Sequence, residues 1–238
     1  MEWQKLATTL FPLGHDITSE GDFLSGTGQV GGDTIAVIGT TGHAPIGVEI
    51  ALMQANAILG VVRDHPCRPL LLLVDTQGQR LRHRDEMLGI NRYMAHLGKC
   101  VELARRRGHR IVGLVYDQAL SGGFITSGMM ADACYALPEA TIRVMGLAAM
   151  ARITKVPQER LIALADSNPV FAPGPENYLR MGALQGIWDG DLAAHLVLAI
   201  ADKQVGDERS VFGLARGGRH LAQPVIDAVI AGGHVNAT

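Results

Sequence analysis

The chain has 238 residues, 47% of them hydrophobic and 5% aromatic, with a formal charge of −2. That length and apolar share suffice for one sizeable core, while the near-neutral charge and scarce aromatics argue against a nucleic-acid or anionic-lipid partner. Cys67, Cys100 and Cys134 show no CxxC spacing and fit reduced thiols in a cytosolic protein; no signal peptide or membrane-spanning run is visible.

In chain order, residues 1–32 are glycine-rich and weakly periodic and read as an irregular N-terminal arm. DTIAVIGTTG (33–42) reads as a strand ending in a turn, and residues 46–64 as an amphipathic helix with apolar positions three and four apart. RPLLLLVDTQG (68–78) is uniformly apolar until it meets polar and glycine residues, the pattern of a strand buried on both faces. Residues 84–108 read as one long helix, opened by Asp85 and Glu86 and closed by Arg105, Arg106, Arg107 and Gly108. HRIVGLVYD (109–117) is a second buried strand, and residues 133–146 suggest two short strands around a turn. The rest is mostly helical, at 157–166, 175–184, 192–204 and 224–233, with 207–220 as a polar, basic loop. The alternation of strand and helix predicts a single α/β domain over 1–238, whose helical part from 190 to 238 is available as a partner interface.

Several motifs resolve into ordinary structure. GTGQVG (Gly26 to Gly31) matches GxGxxG but follows no strand and opens no helix, so a flexible entry loop is expected there. The histidines at 15, 43, 65, 83, 96 and 109 have no HExxH or paired Cys/His spacing, and no metal site is expected. Arginines at 105–107 complement a helix dipole. Ser121 lacks the GxSxG elbow, because Ala119 holds its first position.

The pair Gly122-Gly123 lies between the second buried strand and a helix. One glycine serves a tight turn. Two at a helix N-terminus also bare backbone N–H groups at the positive end of the helix, where an anion or an incipient oxyanion can be held. DTQGQR (75–80) gives a second polar-glycine turn at the end of the preceding strand. If the two strands are parallel neighbours, both turns share one edge. The residues alone leave plain turns and an oxyanion hole both open.

The segment RIVGLVYDQALSGGFITSGMMADACYALPEATIRVMG, with LVDTQGQ upstream, resembles the carboxyltransferase branch of the crotonase superfamily. The resemblance covers residues 33–150. That branch carries Asp-x-Pro-Gly-Phe, a Tyr-Gly-Gly-Ala-Tyr turn and Trp-Pro-x-Ala-x-Ile-x-Val-Met-Gly. Here Gln77 replaces the Pro, Gln79 the Phe, and Phe124-Ile125 the Ala-Tyr. With a length sufficient for one such domain, the chain resembles the gamma subunits of biotin-independent malonate decarboxylases.

The resemblance implies a crotonase-like spiral of β-β-α units with a mixed or parallel sheet and flanking helices. It also implies a homologous beta subunit as partner and a malonyl thioester, carried on an acyl carrier protein, as substrate. The products would be the acetyl thioester and carbon dioxide. No cofactor would be bound by this chain: no biotin, and a CoA-like phosphoribosyl-dephospho-CoA arm belonging to the carrier. The expected oxyanion donors are the backbone N–H groups of Gly122, Gly123 and Phe124, with Gly78 and Gln79 as a second set. Tyr116, Asp117, Ser121 and His43 are proton-donor candidates by proximity, and Arg209, Arg216 and Arg219 are candidates for the phosphates of the arm or an acidic carrier. The alternatives are half of a biotin-dependent acyl-CoA carboxyltransferase, a Clp-like serine peptidase using Ser121, or a scaffold for a catalytic partner.

Overall fold

The computed structural model describes residues 1–165, 174–202, 206–218 and 220–233. The opening residues form α1 (Trp3–Leu10) and two strands, β1 (Thr18–Glu20) and β2 (Phe23–Val30), followed by β3 (Asp33–Thr40) and β4 (Ala44–Ile46). Then come α2 (Val48–Asp64), β5 (Leu70–Gln79), α3 (His83–Met87), α4 (Ile90–Arg106), β6 (Ile111–Leu120) and α5 (Ser121–Ser127). The remainder comprises β7 (Ala133–Ala136), β8 (Thr141–Arg143), α6 (Leu147–Thr154), α7 (Gln158–Ala165), α8 (Pro175–Arg180), β9 (Gly186–Ile187), α9 (Leu192–Ala201), α10 (Arg209–Ala215) and α11 (Gln223–Gly233).

One mixed sheet runs in the order β1-β2-β3-β5-β6-β7-β9. Pairing from β3 through β9 is parallel, and β1 and β2 extend the sheet antiparallel. The carboxyl ends of β5 and β6 run on past the main sheet. There β5 pairs with β4 and β6 with β8, with register shifts at Ala44/Pro45 and Val74/Thr76. This carries the strand ends, and the turns after them, to one edge.

The apolar run in β5 is explained by cover on both faces. Leu71 and Leu73 pack in the layer formed with α1 and α9, and Leu70 and Leu72 pack in the layer under α2 and α4. Each such leucine contributes about 1.5–3 kcal/mol when fully buried. Among the described residues no helix is long and apolar enough to cross a membrane.

Four local expectations are corrected. Residues 1–32 are not an irregular arm: Leu6, Leu10, Phe11 and Leu24 are buried, and α1 seals one face of the sheet. GTGQVG is not a flexible loop but lies largely in β2, paired in register with β3. Gly28 is there because Phe11 occupies its side-chain space, a Cβ falling 2.3 Å from Phe11 Cγ. The helix expected over 84–108 is broken at Gly89, whose φ of 76° turns the chain between α3 and α4. The segment 207–220 is not all loop, since it contains α10.

Candidate active site at the two glycine turns

The β5 run ends at Thr76, which is fully buried. Its hydroxyl donates to the Ala44 carbonyl at 2.6 Å and accepts the Gly78 N–H at 2.9 Å. One side-chain oxygen therefore ties β4 to the turn after β5. Gly78 has a φ of 96°, a region where only glycine is comfortable. A Cβ there would stand 3.1 Å from both the Leu120 carbonyl oxygen and Ser121 Cβ.

At the end of β6 the chain turns through Ser121, whose φ of 52° is uncommon for a non-glycine residue. α5 follows at once, and its N-cap residue Leu120 provides no side-chain cap. The first N–H groups of a helix have no acceptor within it, so those of the Ser121–Phe124 turn sit at the positive end of the dipole. The far side of the helix is fixed. Thr126 Oγ1 donates to the Gly122 carbonyl at 3.0 Å and Ser127 Oγ to that of Gly123 at 2.6 Å, while buried Phe124 meets Tyr178 edge to face.

The two turns touch. A Cβ on Gly123 would lie 2.9 Å from Thr76 Oγ1, 3.0 Å from Ile46 Cγ1 and 3.1 Å from Gly78 Cα. Gly122 differs: a Cβ there would meet nothing within 4 Å. Close packing thus requires glycine at 123 and leaves the space beside 122 open.

The second donor set is smaller than expected. The Gly78 N–H has one proton, and Thr76 Oγ1 holds it. That leaves Gln79, whose backbone lies in the β4–β5 ladder opposite Ile46 and whose side chain donates to Glu86 Oε1 at 3.1 Å.

Of the proton-donor candidates, Tyr116 is unsuited. It is buried, its hydroxyl donates to the Thr40 carbonyl at 2.9 Å, and burial pushes its pKa far above the ordinary phenol value. Ser121 is exposed, and among the described residues no hydrogen bond joins its hydroxyl to a histidine. His43 and Asp117 meet each other, with Nε2 3.2 Å from Oδ1. Asp75, buried beside them, accepts the backbone N–H groups of His43 at 2.9 Å and Gln118 at 3.3 Å. Burial holds the Asp75 carboxyl above its usual range, against the pull of those donors. Burial also raises Asp117, but His43 and the α-amino group of Met1 outweigh it and bring Asp117 below its usual value.

The basic residues assigned to a phosphate arm are bound within the chain. Arg209 Nε pairs with Asp207 at 2.7 Å, and Nη1 donates to the Met129 carbonyl at 3.1 Å. Arg216 donates to the carbonyls of Leu179, Leu184 and Gln185 at 2.7–3.0 Å, the first of them at the open end of α8. Both hold intrachain partners. Arg219 lies outside the described residues.

Sequence reading named His43 and Asp117 as candidates by proximity, but missed Thr76, Asp75 and the contact of Asp75 with those two. For Thr76 the available signal was a polar residue at the end of a fully buried run. For the cluster there was none, since its members are 32 and 42 residues apart.

The family model for the malonate decarboxylase gamma subunit matches residues 41–233. A malonyl-S-ACP:biotin-protein carboxyltransferase of Malonomonas rubra is 29% identical over 234 residues, covering 84% of this chain and 80% of that protein. A Pseudomonas malonate decarboxylase hetero-tetramer in complex with coenzyme A contains a chain 25% identical, with a TM-score of 0.78 and coverage of 95% of this chain and 97% of that one. The Pseudomonas MdcD-MdcE hetero-dimer gives 26% identity and a TM-score of 0.74, covering 95% and 96%. With a mixed, mostly parallel sheet, two glycine turns in contact at its edge and a family match over most of its length, the chain belongs to the malonate decarboxylase gamma subunit family.

Proposed function

We propose that the chain works as one half of a malonyl-thioester decarboxylase, with the turn Ser121–Phe124 as its oxyanion-binding element. The substrate is a malonyl group on an acyl carrier protein. The bond between the carboxylate carbon and the α-carbon breaks and carbon dioxide leaves. The electron pair passes to the α-carbon and onto the thioester oxygen as an enolate, and a proton then adds to the α-carbon to give the acetyl thioester. The site has to hold the negative oxygen. The N–H groups of Gly122, Gly123 and Phe124 are the donors, with Gln79 contributing from the neighbouring turn. A single donor of this kind is worth about 10²–10³ in rate.

The observation that carries this reading is the open space beside Gly122 at the N-terminus of α5, in a chain of this family. The carrier's CoA-like arm supplies the thioester, and the coenzyme A bound by the related tetramer supports an arm of that chemistry. The second half is a homologous beta subunit, as in the related hetero-dimer. Its contact face includes α11, where Val225, Ile226, Val229 and Ile230 are all exposed in one stripe.

The test is co-expression with the homologous beta subunit, followed by assay of carbon dioxide release from malonyl carrier. The pair is active and neither chain alone is. Val229→Asp weakens co-purification with the beta subunit by at least tenfold. Full turnover by the isolated chain would overturn the reading. A second reading, carboxyl transfer to a biotin protein, is favoured by the Malonomonas rubra relative alone. It predicts dependence on a biotinylated acceptor and inhibition by avidin, whereas decarboxylation runs unchanged in avidin.

A further inference from the structure

At the sheet edge that carries the glycine turns, His43, Asp75 and Asp117 bring an imidazole and two carboxylates together, with one ligand atom from each within 4.8 Å of the others. We propose that these three side chains form a binding site for a divalent transition-metal ion of the Zn²⁺ or Mn²⁺ type. The proposal is independent of the decarboxylase reading.

Three observations carry it. The first is spacing. Bonds of about 2.0–2.2 Å from zinc to nitrogen and oxygen put neighbouring ligands of a tetrahedral ion about 3.3–3.5 Å apart. His43 Nε2 is 3.2 Å from Asp117 Oδ1 and 3.7 Å from Asp75 Oδ1, so an ion can sit among them after small side-chain rotations.

The second is preorganisation. His43 has a φ of 51°, unusual for a residue with a side chain. This folds the loop after β3 back so that its N–H bonds Asp75 Oδ2 while its ring faces Asp75 Oδ1. Asp75 sits at the end of the buried β5 run with its side chain 5% exposed, and the Gln118 N–H fixes it from β6. Three consecutive segments of the parallel sheet thus each contribute one ligand.

The third is charge and access. Two carboxylates face one imidazole, and the fixed cation beside them is the α-amino group of Met1, 3.2 Å from Asp117 Oδ2. Lys or Arg does not pair with Asp75 or Asp117 among the described ion pairs. The side chains of His43 and Asp117 are 53% and 40% exposed, so an ion can enter from solvent, displacing the ammonium, and keep water or an anionic ligand in its open position. One imidazole with two carboxylates is a donor set that both zinc and manganese accept.

The experiment is a calorimetric titration of the chelator-stripped, full-length chain with Zn²⁺, repeated with Mn²⁺ and read by electron paramagnetic resonance. One saturable site per chain is expected, with a raised melting temperature. His43→Ala and Asp117→Asn each weaken binding at least tenfold, and His65→Ala, at an exposed histidine away from the cluster, leaves it unchanged. Asp117→Asn removes an exposed carboxylate and keeps the fold testable if His43→Ala does not fold. Absence of saturable binding to either ion, or binding that survives Asp117→Asn, would overturn the proposal.

Discussion

Two glycine-rich segments of this chain look alike on paper and serve opposite ends. In β2, the glycines are filled by their neighbours: a Cβ on Gly28 would lie 2.3 Å from Phe11 Cγ, and one on Gly26 would lie 2.6 Å from Ile17 Cα. At the start of α5, Gly123 follows the same rule against Thr76 and Ile46, but Gly122 borders open space. A glycine that makes room for the protein's own atoms is a packing residue. A glycine that makes room for none of them, at a helix N-terminus, leaves the backbone accessible to something else. The glycine pair that stands out in the sequence is therefore two different residues.

The sharpest way to break this contrast is Gly122→Val. Its backbone is not in the left-handed region and its side chain finds space, so the melting temperature should stay within about 2 °C of the parent, less than the shift from 1 kcal/mol in a chain this size. Turnover of malonyl carrier by the assembled complex should fall by about 10²–10³, the value of one oxyanion donor. Normal turnover would return the turn to a purely structural role.

The packing glycines come next. Gly28→Ala forces a methyl into the ring of Phe11, itself 1% exposed, and Gly123→Ala presses one against Thr76, Ile46 and Gly78. Overpacking of this kind costs about 1–3 kcal/mol, occasionally more. Gly28→Ala should lie at the upper end, because an aromatic ring in a filled core has nowhere to go. Urea unfolding of the two variants checks the order, and a Gly123→Ala as stable as the parent would separate Gly123 from the packing class.

The smallest effect is electrostatic. Asp85 is buried, accepts the Val48 N–H at 3.2 Å and pairs with Arg82 at 2.8 Å, and the Arg82 guanidinium is the main reason its carboxyl titrates below the usual range. A carboxylate depressed in the folded state adds stability above its unfolded pKa and loses it as pH falls through the lower folded value. Asp85→Asn should therefore be less stable than the parent at pH 7, with the difference closing in acid. Melting curves between pH 7 and pH 3 measure it, and a constant difference would mean that Asp85 acts through packing alone.

These contrasts also mark how far the sequence can be read. The strands at β3, β5 and β6 were legible because a strand covered on both faces needs an unbroken apolar run. The contact of the two turns followed from the parallel order, and the family resemblance rested on the same segment. The opening 32 residues were misread because β2 has two glycines, which weaken any strand signal. What Gly28 is needed for, the ring of Phe11, lies at the end of α1. For Arg209 and Arg216 the charge is visible in sequence and the carbonyl partners are not. The split between Gly122 and Gly123, and the meeting of His43 with Asp75 and Asp117, depend on distances across β4, β5 and β6 that no local pattern encodes.

Thr76 has a consequence of its own. Its single hydroxyl holds the Ala44 carbonyl and the Gly78 N–H, and its oxygen lies against Gly123. Three separate stretches of chain thereby surrender their independent degrees of freedom to one atom. A displacement of any one of them is felt by the other two, so the loop before β4 is a place from which the geometry around α5 can be tuned at a distance.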